Sequence, residues 1–218
     1  MKKITALKVQ TRNPNRVNVY LDGEFAFGVA RITAAWLNVG DALDEAKIER
    51  LKADDARERA FQQAALFLSY RARSEAEIRK NLRKRETPEA IVEETILRLR
   101  RDGLTDDEQF ARTWVENRTT FRPRSRYALA LELRQKGLAE ETISAALVDA
   151  DDETLAHEAA RKKAPRFEKL EWQDYRKKLS EFLARRGFSY AIIARVVTAV
   201  WNETHRTDEH FYKEEDIV

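Results

Sequence analysis

The chemistry legible in this 218-residue chain is that of its 41 lysines and arginines, which gather at recurring places. Arg71 and Arg73 are followed by Lys80, Arg83, Lys84 and Arg85; Arg118, Arg122, Arg124 and Arg126 are followed by Arg134 and Lys136. A third group holds Lys177, Lys178, Arg185 and Arg186. Such cations form charge-assisted hydrogen bonds to phosphate or carboxylate, and a guanidinium fork can grip either with two bonds. Residue type therefore leaves nucleic acid and acidic protein both open as partners. Set at comparable places along stacked repeats, these groups would build one stripe suited to a long, repetitive polyanion. The other reading is a set of solvated helix faces, since 38 acids are present to balance the bases.

Other constellations are weaker. The six glycines, at 23, 28, 40, 103, 137 and 187, are too scattered for a phosphate-cradling loop. His157, His205 and His210 lack the helpers a metal site needs and read as surface histidines. Asp106, Asp107 and Glu108 could serve metal-assisted hydrolysis, but acids at a helix start are accounted for by the helix dipole. Phe110, Trp114, Leu129 and Leu133 fall at core spacing rather than as a base-stacking platform. The absence of cysteine excludes disulfides, thiolate metal sites and a cysteine nucleophile. The expectation is a protein with no catalytic, cofactor or metal site.

Charged residues make up 36% of the chain and Gly and Pro are few, a composition that favours helix. No apolar run approaches the roughly 20 residues of a bilayer span, and the N-terminal MKKITALKV is too short and polar for a signal peptide. A soluble, cytoplasmic monomer without membrane contact is expected. By segment the charge is about +2 for residues 1–54, +3 for 55–103, −1 for 104–150, +2 for 151–205 and −3 for 206–218. A basic body thus ends in an acidic tail, which could shield the basic stripe.

The elements that position these cations begin with strands. Val17, Val19 and Leu21, then Phe25, Phe27 and Val29, alternate with period two around Asp22-Gly23, a hairpin signal. A two-residue turn would pair Leu21 with Glu24 and split the apolar set between faces. A three-residue loop, Asp22 to Glu24, pairs Leu21 with Phe25 and Val19 with Phe27, and is preferred. A third strand around Ile4 to Gln10 and short helices near 32–37 and 43–51 complete an N-terminal unit, residues 1–54.

From residue 55 the period becomes helical. Ser74 with Glu77 and Thr105 with Glu108 fit the capping box, Thr87 precedes a proline placed at the first helical position, and Ser189 can cap the last long helix. Gly103, Gly137 and Gly187 stand where helices end. Leu82-Arg-Lys-Arg85, Leu133-Arg-Gln-Lys136 and Leu183-Ala-Arg-Arg186 recur about 50 residues apart. Each closes the middle helix, B, of a helix A–B–C unit. The predicted repeats are 55–103 (helices 56–70, 74–85 and 88–101), 104–150 (105–119, 125–136 and 140–149) and 151–205 (152–164, 172–186 and 190–204). The fold class is mainly α: three tandem three-helix repeats forming an elongated solenoid that can curve, preceded by the small β-hairpin unit.

Four blocks in order, Arg16-Val-Asn-Val-Tyr-Leu-Asp-Gly-Glu-Phe25, Leu68-Ser-Tyr-Arg-Ala-Arg-Ser-Glu75, Gly103-Leu-Thr-Asp-Asp107 with Phe110-Ala111, and Glu132-Leu-Arg-Gln-Lys-Gly137, resemble the RecX regulatory proteins. The third repeat, with Lys162-Lys163-Ala164-Pro165, departs from the pattern. The resemblance implies three three-helix repeats and a non-catalytic regulator. Such a regulator would bind the RecA–single-stranded-DNA filament in its groove, bridge neighbouring RecA subunits, and restrain ATP hydrolysis, strand exchange and co-protease action. On that implication the three cationic groups are the partner surface. The alternative is a direct DNA-binding module of helix-turn-helix type, against which the weakly basic third helices count. A nuclease lacks a convincing constellation.

Overall fold

The computed structural model describes residues 1–205; the acidic tail predicted at 206–218 lies outside the described residues. Two compact units divide the chain at Asp106/Asp107.

The first unit opens with strands β1 (Lys2–Gln10), β2 (Asn13–Leu21) and β3 (Glu24–Ala30), then helix α1 (Arg31–Ala34) and strand β4 (Ala42–Leu43). They form an antiparallel sheet in the order β3-β2-β1-β4. Alternation along β2 puts Val17, Val19 and Leu21 into a core with Ile4, Phe27, Val29, Leu37 and Leu43. Both turn readings prove partly right. Asp22 and Gly23, at φ 50° and 92°, make a two-residue turn that pairs Leu21 with Glu24, not with Phe25. A bulge between Val19 and Tyr20 then restores the Val19–Phe27 pair. Turn chemistry and core register are thus both satisfied at the cost of one irregular step. Phe25, off register, remains exposed and meets the Tyr20 ring edge-on.

The two helices expected near 43–51 and 56–70 are one, α2 (Glu45–Ser69), because no Gly or Pro interrupts the interval. Its buried Asp55 fastens the sheet. Asp55 Oδ1 accepts from the backbone N–H of Ala30 at 2.6 Å, and Arg16 donates to both carboxylate oxygens at 3.2 and 2.9 Å while also reaching the Gly28 carbonyl. Helices α3 (Glu75–Arg83) and α4 (Glu89–Arg101) pack with α2 around Ile78, Leu82, Val92, Ile96 and Leu99. Ser74 and Glu77 form the expected capping box. Pro88 is the N-cap of α4 rather than its first residue, which moves the predicted Thr87 cap one place upstream of the helix.

The second unit contains α5 (Asp107–Phe121), α6 (Arg126–Gln135), α7 (Glu140–Ala146), α8 (Asp152–Lys163), a 3-10 turn over Ala164–Arg166, α9 (Trp172–Ala184) and α10 (Tyr190–His205). One core joins Phe110, Val115, Leu129, Leu133, Ile143 and Leu147; another centres on Tyr175, Leu179, Leu183, Val196 and Val200. Asp107 and Glu108 occupy the first turn of α5, as the dipole reading requires, but the buried Thr105 hydroxyl has no partner, so the second capping box does not form through it. Trp114 is half-buried, packed against the edge of the first of these cores and stacked on Phe110.

The middle helices of the three repeats, α3, α6 and α9, end alike. Four residues after Leu82, Leu133 and Leu183 the backbone turns left-handed, at Glu86 (φ 59°), Gly137 (78°) and Gly187 (89°). The next N–H, of Thr87, Leu138 or Phe188, donates back to that leucine's carbonyl, the bond that closes a helix after a left-handed residue. Gly187 has a second reason to lack a side chain: a Cβ there would stand 2.6 Å from Ser125 Oγ and 2.9 Å from Ala128 Cβ, at the start of α6.

Candidate partner and nucleic-acid interface

Many of the predicted cations are held by carboxylates of their own repeat. Arg71 makes bidentate contact with Glu77, Arg83 with Glu89, and Arg134 with Glu140. The last two pairs are equivalent, each tying the end of a helix B to the start of the following helix C. Glu132 gathers Trp114 Nε1 and Arg118 Nε, each at 2.8 Å, and Arg124 Nη1 at 3.0 Å. These hydrogen bonds raise the pKa of Arg83 and Arg134 and lower those of Glu89 and Glu140.

Others lie against aromatic rings or backbone. The Arg73 guanidinium sits 4.0 Å from the Phe67 ring centroid, and Lys136 Nζ 5.0 Å from that of Trp114. Arg126 reaches the Ala150 carbonyl, and Arg185 approaches Glu181 at 3.9 Å. Lys80, Lys84, Arg122, Lys177 and Lys178 are exposed and make no ion pair among the described residues. The position three residues after the recurring leucine carries a cation in every repeat: Arg85, Lys136 and Arg186.

The structure also assembles a cationic cleft that sequence reading missed. The loop after α5 docks on the end of α9: the Ser125 N–H donates to the Arg186 carbonyl at 3.1 Å, and Arg186 Nη1 donates to the Pro123 carbonyl at 2.7 Å. From α8, Lys162 Nζ reaches the Thr120 carbonyl at 2.5 Å. Between these contacts opens a cleft of about 220 Å³ lined by Phe121, Lys162, Lys163, Arg166, Phe182 and Arg186, with no acid in its wall. The Arg186 guanidinium lies 4.5 Å from the Phe182 ring centroid, and its pKa is pushed down by burial and then by the neighbouring charges of Arg124 and Arg122. The signal was the Lys162-Lys163-Ala164-Pro165-Arg166 run, which breaks the repeat pattern, ends α8 in a 3-10 turn and sets Lys163 Nζ 5.4 Å from the Phe182 ring of α9.

Among the described residues no group of three or more His, Cys, Asp or Glu is placed to hold an ion. His205 is half-buried rather than a surface residue, stacked 3.5 Å from the Trp201 ring centroid, and His157 is also half-buried. His210 lies outside the described residues. No helix among them is long and apolar enough to cross a membrane.

Comparison with known proteins covers the whole arrangement. Residues 2–44 match the regulatory protein RecX N-terminal domain; residues 60–99, 106–147 and 151–197 match the first, second and third three-helix domains of RecX. The regulatory protein RecX of Bacillus velezensis is 32% identical over 87% of this chain and 74% of its own length. That of Bacillus subtilis is 31% identical over 94% and 80%. A crystal structure of regulatory protein RecX superposes with a TM-score of 0.68 at 30% identity, covering 90% of this chain and 98% of that one. RecX from Lactobacillus salivarius, at 24% identity and a TM-score of 0.58, shares the fold over 67% of this chain. With sheet, three helical repeats and their order all matched, the chain belongs to the RecX family of regulatory proteins.

Proposed function

We propose that this chain is a non-catalytic regulator that binds the RecA–single-stranded-DNA filament, bridges adjacent RecA subunits and slows the filament's ATP hydrolysis, strand exchange and co-protease action. Family membership supports a regulatory role, and the observation that carries the reading to a repetitive partner is the recurrence of Arg85, Lys136 and Arg186 at one place in successive repeats. Cations there also suit the dipole at the end of each helix B. Exposed Lys80, Lys84, Arg122, Lys177 and Lys178 supply cations not already held by a neighbouring acid.

The mechanism is restraint. A partner that holds adjacent subunits in one relation opposes the relative movement that each round of hydrolysis needs, because it binds one arrangement better than the others. Substoichiometric protein is expected to inhibit the DNA-dependent ATPase of RecA, and Arg122→Glu with Lys177→Glu and Lys178→Glu to weaken that inhibition. No effect at equimolar protein would overturn the reading. Direct DNA binding of helix-turn-helix type is less well supported, since α7 (EETISAA) offers acids and no base to a groove.

A further inference from the structure

We infer that the cleft between α8, α9 and the loop after α5 is a phosphoryl-anion site, shaped to take one nucleotide's phosphate with a ring beside it. Four cations, Lys162, Lys163, Arg166 and Arg186, line about 220 Å³ with no acid among them. Elsewhere in the chain arginines in such density are neutralised, as Arg118 and Arg124 are by Glu132 and Arg79 and Arg100 by Glu75. In this cleft compensation is left to whatever enters. Bringing like charges together with burial costs free energy, and Arg186, its pKa depressed by burial and by Arg124 and Arg122, bears that cost directly.

Two features make the site built rather than merely charged. The Lys162 ammonium and the Arg186 guanidinium are each anchored by one bond, to the Thr120 and Pro123 carbonyls, which fixes the heads at the rim while most of their N–H donors stay available. Phe182 underlies Arg186 and lies 5.4 Å from Lys163 Nζ, holding both cations from the apolar side. An anion carrying more than one charge, or several oxygens on one centre, matches this density better than a single carboxylate. Phe121, 71% exposed at the edge of the cleft, offers a ring face for a base. The volume suits one nucleotide, which can come from a single strand or from a free nucleoside polyphosphate. This assignment needs no RecA, so its failure and that of the filament reading are separable.

The test is equilibrium binding by the full chain to pyrophosphate, a nucleoside triphosphate, oligothymidylate and a polyglutamate peptide of matched charge. Lys162→Gln and Arg166→Gln are expected each to weaken the phosphate-bearing ligands by about tenfold, the worth of one charge-assisted hydrogen bond. Lys47→Gln with Arg50→Gln, exposed on α2 and outside both the cleft and the proposed partner surface, should change affinity by less than about twofold beyond their salt effect. Phe121→Ala should weaken oligothymidylate and triphosphate but leave pyrophosphate unchanged. Binding of triphosphate and pyrophosphate identifies a free-nucleotide source; binding of oligothymidylate alone identifies a strand. Circular dichroism melting of each variant shows that the fold is kept. The assignment is overturned if no phosphate ligand binds, if Lys162→Gln and Arg166→Gln leave affinity unchanged, or if polyglutamate binds as tightly as oligothymidylate.

Discussion

Three equivalent residues, Glu86, Gly137 and Gly187, hold the same left-handed conformation, one with a Cβ and two without, and substitution at each tests what that conformation costs. A residue with a Cβ costs roughly 1–2 kcal/mol in that region. Glu86→Gly removes that strain and the misfit of an anion at a helix C-terminus, but frees the unfolded chain by about 0.5–1 kcal/mol. The net gain should be about 0.5–1 kcal/mol, or roughly 2–8 °C in the melting of a unit of this size. Glu86→Ala keeps the strain and separates it from the charge. Gly137→Ala should lose at least about 1–2 kcal/mol, the cost of the left-handed conformation. Gly187→Ala should lose at least about 3 kcal/mol, because its Cβ would also displace Ser125 Oγ, 2.6 Å away, from capping α6. Urea unfolding followed by circular dichroism reads all four variants. Loss of stability in Glu86→Gly, or a loss under about 1 kcal/mol in Gly187→Ala, would refute the reasoning.

Asp55→Ala should destabilise the first unit by about 3–5 kcal/mol, since it strands the Arg16 guanidinium and the Ala30 N–H beneath α2; a loss under about 1 kcal/mol in chemical denaturation would contradict this. Stability should also fall at both pH extremes. Glu89, Glu93, Glu140 and Glu203 have pKa values lowered by hydrogen bonds from Arg83, Arg79, Arg134 and Arg161, so their contribution is present above the ordinary 4.5 and lost as pH falls through the lowered values. Being exposed, these pairs give a shallow acid edge that salt flattens. Tyr175, raised to about 12 by burial, contributes stability below the ordinary 10.0 that is lost as pH rises through the raised value. Tyrosinate absorbance should show it titrating last and together with unfolding; ordinary titration of every tyrosine in the folded protein would exclude this.

Helix placement was legible because it rests on local chemistry. The capping box at Ser74, the glycines after α4, α6 and α9, and the apolar period set by Leu82, Leu133 and Leu183 all act within a few residues. What was not legible depends on distant partners. The bulge at Val19/Tyr20 reconciles a turn preference with a core demand; β4 exists only because Lys2 and Lys3 pair with it. Which cations stay available is likewise tertiary: Arg134 meets Glu140, whereas the third repeat has Ala184 and Tyr190 at those places. The cleft was not legible because Phe121, the Lys162–Arg166 run and Arg186 come from three separate segments and only the docking of the loop onto α9 unites them.

The unbroken run of α2 makes it a strut. Its 25 residues span about 37 Å, at roughly 1.5 Å per residue, with the sheet clamped at Asp55 and the Ala60–Ala64 stretch seated in the first helical core. A push on β3 is therefore delivered to α4 without a hinge to absorb it. Sheet and first repeat should melt, exchange amide protons and resist proteases as one body, so an anchor gripping the sheet would set the pose of the repeat behind it.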